Sequence, residues 1–513
     1  MSTLRKLAGQ TAIYGLSSIV ARFLNFLLTP LYTSKGVFPP EEFGVITSLY
    51  AWAAFITVVL TFGMETTFFR FANAPHPPTP SPKERGSGSS PLLGRGAGGE
   101  VGAYATAFFS VAGLSLFFVL VCALFPGAIA SGIRYPEQSK LVLMLAIALG
   151  LDAMTALPLA RLRKEGRPWR FVAANVSSIA VTMVLSLFYF AYAMPMVKAG
   201  ETNALIDAVY DPAFGVGYVF LINLIASGVK FLMLVPQWPS LKQFDRALLK
   251  PMLVFAGPLA VAGLAGMVNE TADRTVLKYL LPAETADAQI GIYGACYKLA
   301  ILITLFIQAF RMGAEPFFFS HAKEPNSKQT FARIMNIFVA VCMSAFLCVM
   351  LFLDVFKWFI PNEAYWEGLR VVPILMLANV FLGIYYNQSV WYKLGDRTKA
   401  GSTIALIGAA ITLVLLFTLI PVFGYMGAAW ATLACYASMA AISYVWGQKH
   451  WPVPYNVTRV LLYMAGAVVL WWANSQLISL LAPPMVLAYA IRSMVLVAFL
   501  GMAWKLERPL AAV

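Results

Sequence analysis

Stretches of about twenty apolar residues recur almost from one end of this chain to the other. That is the length an α-helix needs to cross a hydrocarbon core roughly 30 Å thick. Fourteen such runs can be marked, at about 11–33, 43–69, 103–125, 141–160, 171–194, 215–236, 251–280, 290–316, 334–353, 371–392, 402–420, 427–447, 460–481 and 487–504. Composition agrees with lipid as the main solvent. Of the 513 residues, 60% are hydrophobic and 12% charged, against about half and a quarter in soluble domains. The expectation is an all-α polytopic membrane body rather than a string of soluble domains.

The net charge of +14 would suggest nucleic acid in a soluble protein. Here the bases sit in short connections on one side, so nucleic acid is excluded. Placing the N-terminus in the cytoplasm puts 24 lysines and arginines on the inner side and 7 on the outer side. The inner set includes Arg161, Arg163, Lys164, Arg167 and Arg170, while outer connections carry Glu41, Glu42, Glu201, Asp207, Asp211, Glu284 and Asp287. The positive-inside rule therefore predicts both termini in the cytoplasm. The basic start, with Arg5 and Lys6, leads into a long apolar run without a clear small-residue cleavage site, which reads as a retained first span. The five cysteines, Cys122, Cys296, Cys342, Cys348 and Cys435, lie in apolar runs and form no CxxC pair, so neither a disulfide framework nor a metal site is expected.

One segment does not fit the membrane body. Residues 75–100 hold six prolines, six glycines and no aromatic residue. Such a segment buries too little apolar surface to offset its ordering entropy and is expected to be a disordered cytoplasmic insertion.

The second and eighth runs resemble one another. Gly44 aligns with Gly291, and Gly63-Met64-Glu65 with Gly313-Ala314-Glu315, each followed by paired phenylalanines, with a three-residue gap between the anchors. A shift of six spans preserves orientation. The halves are then parallel repeats about an axis along the membrane normal, an arrangement that commonly rocks about a site at the repeat interface.

Several stretches in order carry a further likeness: GQTAIYGLSSIVARFLNFLLTPLYT, EEFGVITSLY, DRTVLKYLL followed by IGIYGACYKLA, and LIPVFGYMGAAWAT. With them the chain resembles the polysaccharide and O-antigen flippases of the multidrug/oligosaccharidyl-lipid/polysaccharide exporter superfamily. The resemblance covers nearly everything except 75–100. It implies a MATE-like fold of about fourteen helices: a six-helix lobe over 1–240, a second over 241–450, and two added helices in 451–513. It also implies alternating access in the bacterial inner membrane. The implied substrate is an undecaprenyl-pyrophosphate-linked oligosaccharide for surface polysaccharide such as lipopolysaccharide, with membrane lipids and polysaccharide polymerase machinery as further partners.

Charges within the runs are the candidate site residues, because a charge near the bilayer centre costs about 2.5–3.5 kcal/mol on insertion scales. Arg22, about eleven residues into the first run, and Asn25, one turn on, are candidate ligands of an anionic head group, as are Arg274 and Lys298; a guanidinium fork suits pyrophosphate. Glu270 and Arg274, four apart on one helix face, are also placed to neutralise each other. Asp152, Asp273 and Glu270 are candidates for coupling to H+ or Na+; no other cofactor is implied. Glu65 and Glu315 are candidate gates, through ion pairs with Arg70 or Arg311. Tyr385, Tyr386, Trp391 and Tyr392 can stack on sugars but read better as an interfacial belt. Gly424, Gly427, Ala428 and Ala431 suit close helix packing. The alternatives are a lipid II flippase and a drug or cation antiporter of the same fold. A membrane enzyme fits poorly, since the three histidines are on the cytoplasmic side and no outer loop holds a catalytic cluster.

Overall fold

A computed structural model describes residues 20, 23–24, 26–72, 96–322, 324–395 and 397–508, with backbone alone for 96–98 and 398. All regular structure among them is helical. The first expected run, 11–33, falls largely outside the described residues, and with it Arg22 and Asn25; the described positions between 20 and 32 are helical. The other thirteen runs each correspond to one helix long and apolar enough to span a membrane. They are α1 (Pro40–Ala72), α2 (Gly99–Leu124), α3 (Pro136–Lys164), α4 (Pro168–Lys198), α5 (Gly217–Gln237), α6 (Arg246–Leu280) and α7 (Ala283–His321). There follow α8 (Ser327–Leu351), α9 (Glu363–Leu394), α10 (Lys399–Phe423), α11 (Tyr425–His450), α12 (Val457–Leu481) and α13 (Met485–Glu507). The chain is a multi-pass membrane protein.

Contacts divide it into two compact units: the described residues up to Leu31 with Ile46–Met267, and Tyr32–Val45 with Val268–Val513. In the first unit α3 is the hub, packing on α2 and α5, while α4 packs on α5. Pro158 lies inside α3, and Pro251 and Pro258 inside α6; neighbouring helices in a membrane can satisfy the backbone groups such prolines free. α1 breaks at Phe62 and Gly63, both at positive φ (46° and 65°). A Cβ on Gly63 would meet the Leu259 Cβ at 2.9 Å, so the break needs glycine for its backbone and for its neighbour alike.

In the second unit α7, α8 and α9 are central, each with 67% of its most apolar window buried, whereas α13 has 11% and presents Met485, Val486, Met494 and Val497 outward. α12 and α13 both pack on α8, and α9 packs on α7 and α11. The first turn of α1 also belongs to this unit and meets α7 backbone to backbone. A Cβ on Gly44 would lie 1.9 Å from the Asp287 carbonyl oxygen, and one on Gly291 1.9 Å from that of Pro40. The two glycines that align in the repeat thus pack against each other. Gly427 serves the same purpose in the tight α10–α11 turn, where a Cβ would meet the Leu419 carbonyl oxygen at 2.4 Å.

Two expectations change. The insertion predicted over 75–100 lies outside the described residues as far as 95, but 96–100 are helical and open α2 a turn earlier than hydropathy suggests. Glu100 holds that turn through a 2.8 Å ion pair with Lys164, which composition does not reveal. The aromatic group at the end of α9 is not a belt. Tyr385, Trp391 and Tyr392 are buried, and the Trp391 indole donates to the Ser443 hydroxyl of α11 at 3.3 Å. Helix packing inside the unit, not the membrane interface, claims them.

Candidate functional site

The polar residues of α6 fall on two adjacent rows, Asn269 and Asp273 on one, Glu270, Arg274 and Lys278 on the other, each four residues apart. The first row is buried. The Asn269 amide donates to the Ala405 carbonyl at 3.1 Å and accepts from the Thr412 hydroxyl at 3.2 Å, both on α10. The Tyr436 hydroxyl of α11 donates to the Asn269 carbonyl at 3.1 Å. These contacts tie the middle of α6 to two neighbours before any substrate is considered.

Asp273 is 3% exposed. It accepts from the fully buried Tyr293 hydroxyl of α7 at 2.6 Å and from the Arg274 backbone N–H at 2.8 Å. The Arg274 guanidinium lies 3.8 Å from the same carboxylate, and its central carbon lies 4.1 Å from the centre of the Tyr297 ring. Tyr293 and Tyr297 are four residues apart, so one face of α7 supplies both the hydroxyl that fixes the acid and the ring that carries the base. Arg274 reaches Glu270 only at its backbone carbonyl, at 3.3 Å. The neutralising pair expected from spacing is therefore replaced by Arg274 with Asp273, because Asp273 is buried beside the guanidinium while Glu270 is exposed.

Lys298 follows Tyr297 on α7 and is half-buried. No hydrogen bond or ion pair reaches it among the described residues, and the charge acting on it is Arg274, of the same sign. Three of the predicted site residues, Glu270, Asp273 and Arg274, thus come together on α6, and Lys298 of α7 lies within electrostatic reach of Arg274. Asp273 and Arg274 compensate one another, and Lys298 is left as a cation in a spanning helix. Such a cluster can bind an anionic group; it contains no nucleophile–base pair and, among the described residues, no group of His, Cys, Asp and Glu that could hold a metal ion.

The other predicted residues lie apart from it. Asp152 of α3 is ion-paired with Lys230 of α5, a deep lysine the sequence reading passes over. Glu65 pairs with Arg163 of α3, not with Arg70, whose guanidinium stacks 4.2 Å over Phe255. Glu65 and Arg70 follow the break at Gly63 in one helical segment and are five residues apart, a spacing that does not bring them to one face. Glu315 is 3.6 Å from Arg311 but 2.6 Å from Lys393 of α9. Glu65 with Arg163 joins α1 to α3, and Glu315 with Lys393 joins α7 to α9. Both helices of the second pair are displaced by six from those of the first, the shift inferred from the repeat.

A family profile described as polysaccharide biosynthesis protein matches residues 87–324. No curated protein sequence matches the chain. Among solved structures, the chain is similar to the lipid II flippase MurJ in an inward closed conformation, with a TM-score of 0.69 and 13% identity over 97% of this chain and 100% of that one. It is also similar to an inward-facing multidrug resistance MATE family transporter of the MOP superfamily (TM-score 0.61, 12% identity, 88% of this chain and 99% of that one). A third similar structure is a MOP superfamily transporter from Pyrococcus furiosus (TM-score 0.55, 14% identity, 89% and 97%). The profile covers a little under half of this chain, and at these identities the likeness to these transporters, over nearly the whole of each chain, is one of fold.

Proposed function

We propose that the chain moves a lipid-linked oligosaccharide, carried on undecaprenyl pyrophosphate, from the inner to the outer leaflet of the bacterial inner membrane for surface polysaccharide synthesis. It does so by alternating access, with both termini in the cytoplasm and without catalysing a covalent step. The observation that carries this reading is Lys298. An ammonium with no counter-charge among the described residues is costly inside a spanning helix, and Arg274, whose charge acts on it, is held in place by Asp273 and Tyr297. A head group bearing phosphate oxygens supplies the missing charge. Arg22 and Asn25 join this proposal from the sequence. So do the lobes at 1–240 and 241–450, the accessory helices of 451–513, coupling to H+ or Na+ through Asp152, Asp273 or Glu270, and a polymerase as downstream partner.

A cation or drug antiporter of the same fold is less well supported, because the deep acids Asp152 and Asp273 are each engaged by a base. A lipid II flippase is the second reading; it is favoured by the fold likeness to MurJ and calls on the same phosphate chemistry. Reconstituted protein offered labelled lipid-linked oligosaccharide and labelled lipid II separates these two. We expect translocation of the first, with the rate in Lys298→Met and Arg274→Met lowered at least tenfold at normal membrane insertion. A strain lacking the protein that exports normal surface polysaccharide and accumulates no inner-leaflet intermediate would sink the proposal.

A further inference from the structure

The first half of α6 carries an exposed stripe that changes character along its length. Arg246, Lys250, Leu253, Val254 and Val261 are exposed, at spacings that put them on one helix face. α1 packs on another side of α6: Arg70 lies over Phe255, Gly63 meets Leu259, and a Cβ on Gly263 would meet Val58 at 2.9 Å. A Cβ on Gly257, in the middle of the stripe, would meet nothing within 4 Å. The stripe is thus cationic where the helix starts and apolar beyond. Eleven residues separate Lys250 from Val261, roughly 16 Å at about 1.5 Å per residue, and one leaflet contributes about 15 Å of hydrocarbon. The connection leading into the stripe is fixed in place. The Gln237 carbonyl accepts from the Tyr104 hydroxyl of α2 at 2.8 Å and from Arg161 of α3 at 3.2 Å, and the Trp238 ring lies 5.3 Å from that of Phe108. The Asp245 N–H donates to the Thr106 hydroxyl at 3.0 Å, and the Asp245 carbonyl accepts from it at 3.2 Å. Between these two ties Leu241 is 70% exposed, with Lys242 exposed beside it.

Lys242, Arg246 and Lys250 have no hydrogen bond, ion pair or ring contact among the described residues. Cations at the end of α3 are matched: Arg161 and Arg167 by Glu165, Arg163 by Glu65, and Lys164 by Glu100. Asp245, the acid beside the stripe, caps α6, its carboxylate accepting from the Ala247 N–H at 2.9 Å. A cation in the first turn of a helix opposes the helix dipole, so local helix stability does not account for Arg246. We propose that this stripe docks an anionic phospholipid of the leaflet it faces, the inner one in the orientation that the charge bias predicts. Lys242, Arg246 and Lys250 meet the phosphate, Leu241 enters the head-group boundary, and one acyl chain lies along Leu253, Val254 and Val261 over Gly257. A zwitterionic lipid offers the same chains but no net charge to match three free cations. The inference needs only a multi-pass chain and stands independently of the flippase reading.

The test is native mass spectrometry of the full chain in detergent, titrated with phosphatidylglycerol or with phosphatidylethanolamine of the same acyl chains. We expect phosphatidylglycerol to bind at least about fivefold more tightly. Arg246→Gln combined with Lys250→Gln is expected to raise its Kd by at least about fivefold and to leave that of phosphatidylethanolamine unchanged. Val254→Asn, at a position 69% exposed, is expected to weaken both lipids by removing a chain contact. Lys449→Gln, which removes an exposed charge from the end of α11, is the control and is expected to change neither. If the double variant fails to insert, Lys250→Gln alone keeps the other two cations and is expected to give at least about a twofold rise. Equal binding of the two lipids, no rise in the variants that insert, or the same loss in Lys449→Gln would each overturn the proposal, the last by showing diffuse attraction. Displacement of phosphatidylglycerol by an equal concentration of undecaprenyl pyrophosphate would also overturn it, by assigning the stripe to a substrate lipid.

Discussion

Asp273 turns two neighbouring charges into a rigid arrangement, and Tyr293 is what holds Asp273. A hydrogen bond to a charged acceptor contributes about 1.5–3 kcal/mol, and removing one partner leaves a buried carboxylate short of a donor. Tyr293→Phe is therefore expected to destabilise the protein by roughly that amount, read as a lower thermal midpoint in detergent, and to slow transport by loosening Arg274. The charged members of this site are legible in the sequence because Glu270, Asp273, Arg274 and Lys298 interrupt apolar runs. Their supports are not. Tyr293, Tyr297, Asn269 and Tyr436 look like ordinary residues of apolar helices until α7, α10 and α11 bring them to α6. A spacing signal existed for one pair: Tyr293 and Tyr297 are four apart and precede the deep Lys298 directly.

Helices meet closely only where side chains allow it. Gly291→Ala places a methyl group 1.9 Å from the Pro40 carbonyl oxygen, a backbone atom that cannot swing away. The expected outcome is a lost or shifted α1–α7 crossing, seen as a sharp fall in folded yield by size-exclusion chromatography. Gly313→Ala, at a position with open space around it, is expected to have no such effect. At the other edge of that unit, α13 is tied down by Arg492 and Tyr489, which donate to Asp354 in the α8–α9 connection at 2.7 and 3.0 Å. Partial burial pushes the Asp354 carboxyl up, but the hydrogen bonds from Arg492 and Tyr489 and the charge of Arg492 outweigh it and hold the carboxyl below its usual range. A depressed carboxyl contributes its full stability above its unfolded value of about 3.9 and loses it as pH falls through the folded value. The thermal midpoint is thus expected to keep this contribution down to about pH 4 and lose it below. Asp354→Asn should start lower at neutral pH and show a smaller acid-dependent fall.

Across the molecule, the two ion pairs displaced by six helices suggest equivalent duties. Partly exposed pairs of this kind stabilise little, about 0–1 kcal/mol. Glu65→Arg and Arg163→Glu alone are therefore expected to leave the thermal midpoint nearly unchanged while slowing translocation, and the double exchange to restore the rate. Equal loss of stability and rate in the single variants would mark a merely structural pair. Lys164 makes another long-range link. Its ammonium donates to the Ala72 carbonyl at 3.1 Å and pairs with Glu100 at 2.8 Å, which brings the end of α1 and the start of α2 to one side chain. Replacing 74–95 by six Gly and Ser residues is accordingly expected to preserve membrane insertion and transport, measured by complementation of a deletion strain. Lys164→Ala in the shortened chain should cost more than in the full one.

Hydropathy alone was enough for the number and order of the described spans, because each crossing needs about twenty apolar residues; it fell short on their length, since α7 covers 39 residues, well beyond the expected run at 290–316. It also marked where charge interrupts them, because lipid makes each such charge conspicuous. It did not show which acid meets which base. Glu65 meets Arg163 across 98 positions and Glu315 meets Lys393 across 78, and Arg274 chose Asp273 over the residue one turn away. Those choices depend on which helices pack side by side and on which face burial makes costly for an unpaired carboxylate. The repeat was faintly written in Gly44 and Gly291. Only the packed helices showed that these two glycines touch, because close approach is a property of two backbones and not of either run of residues.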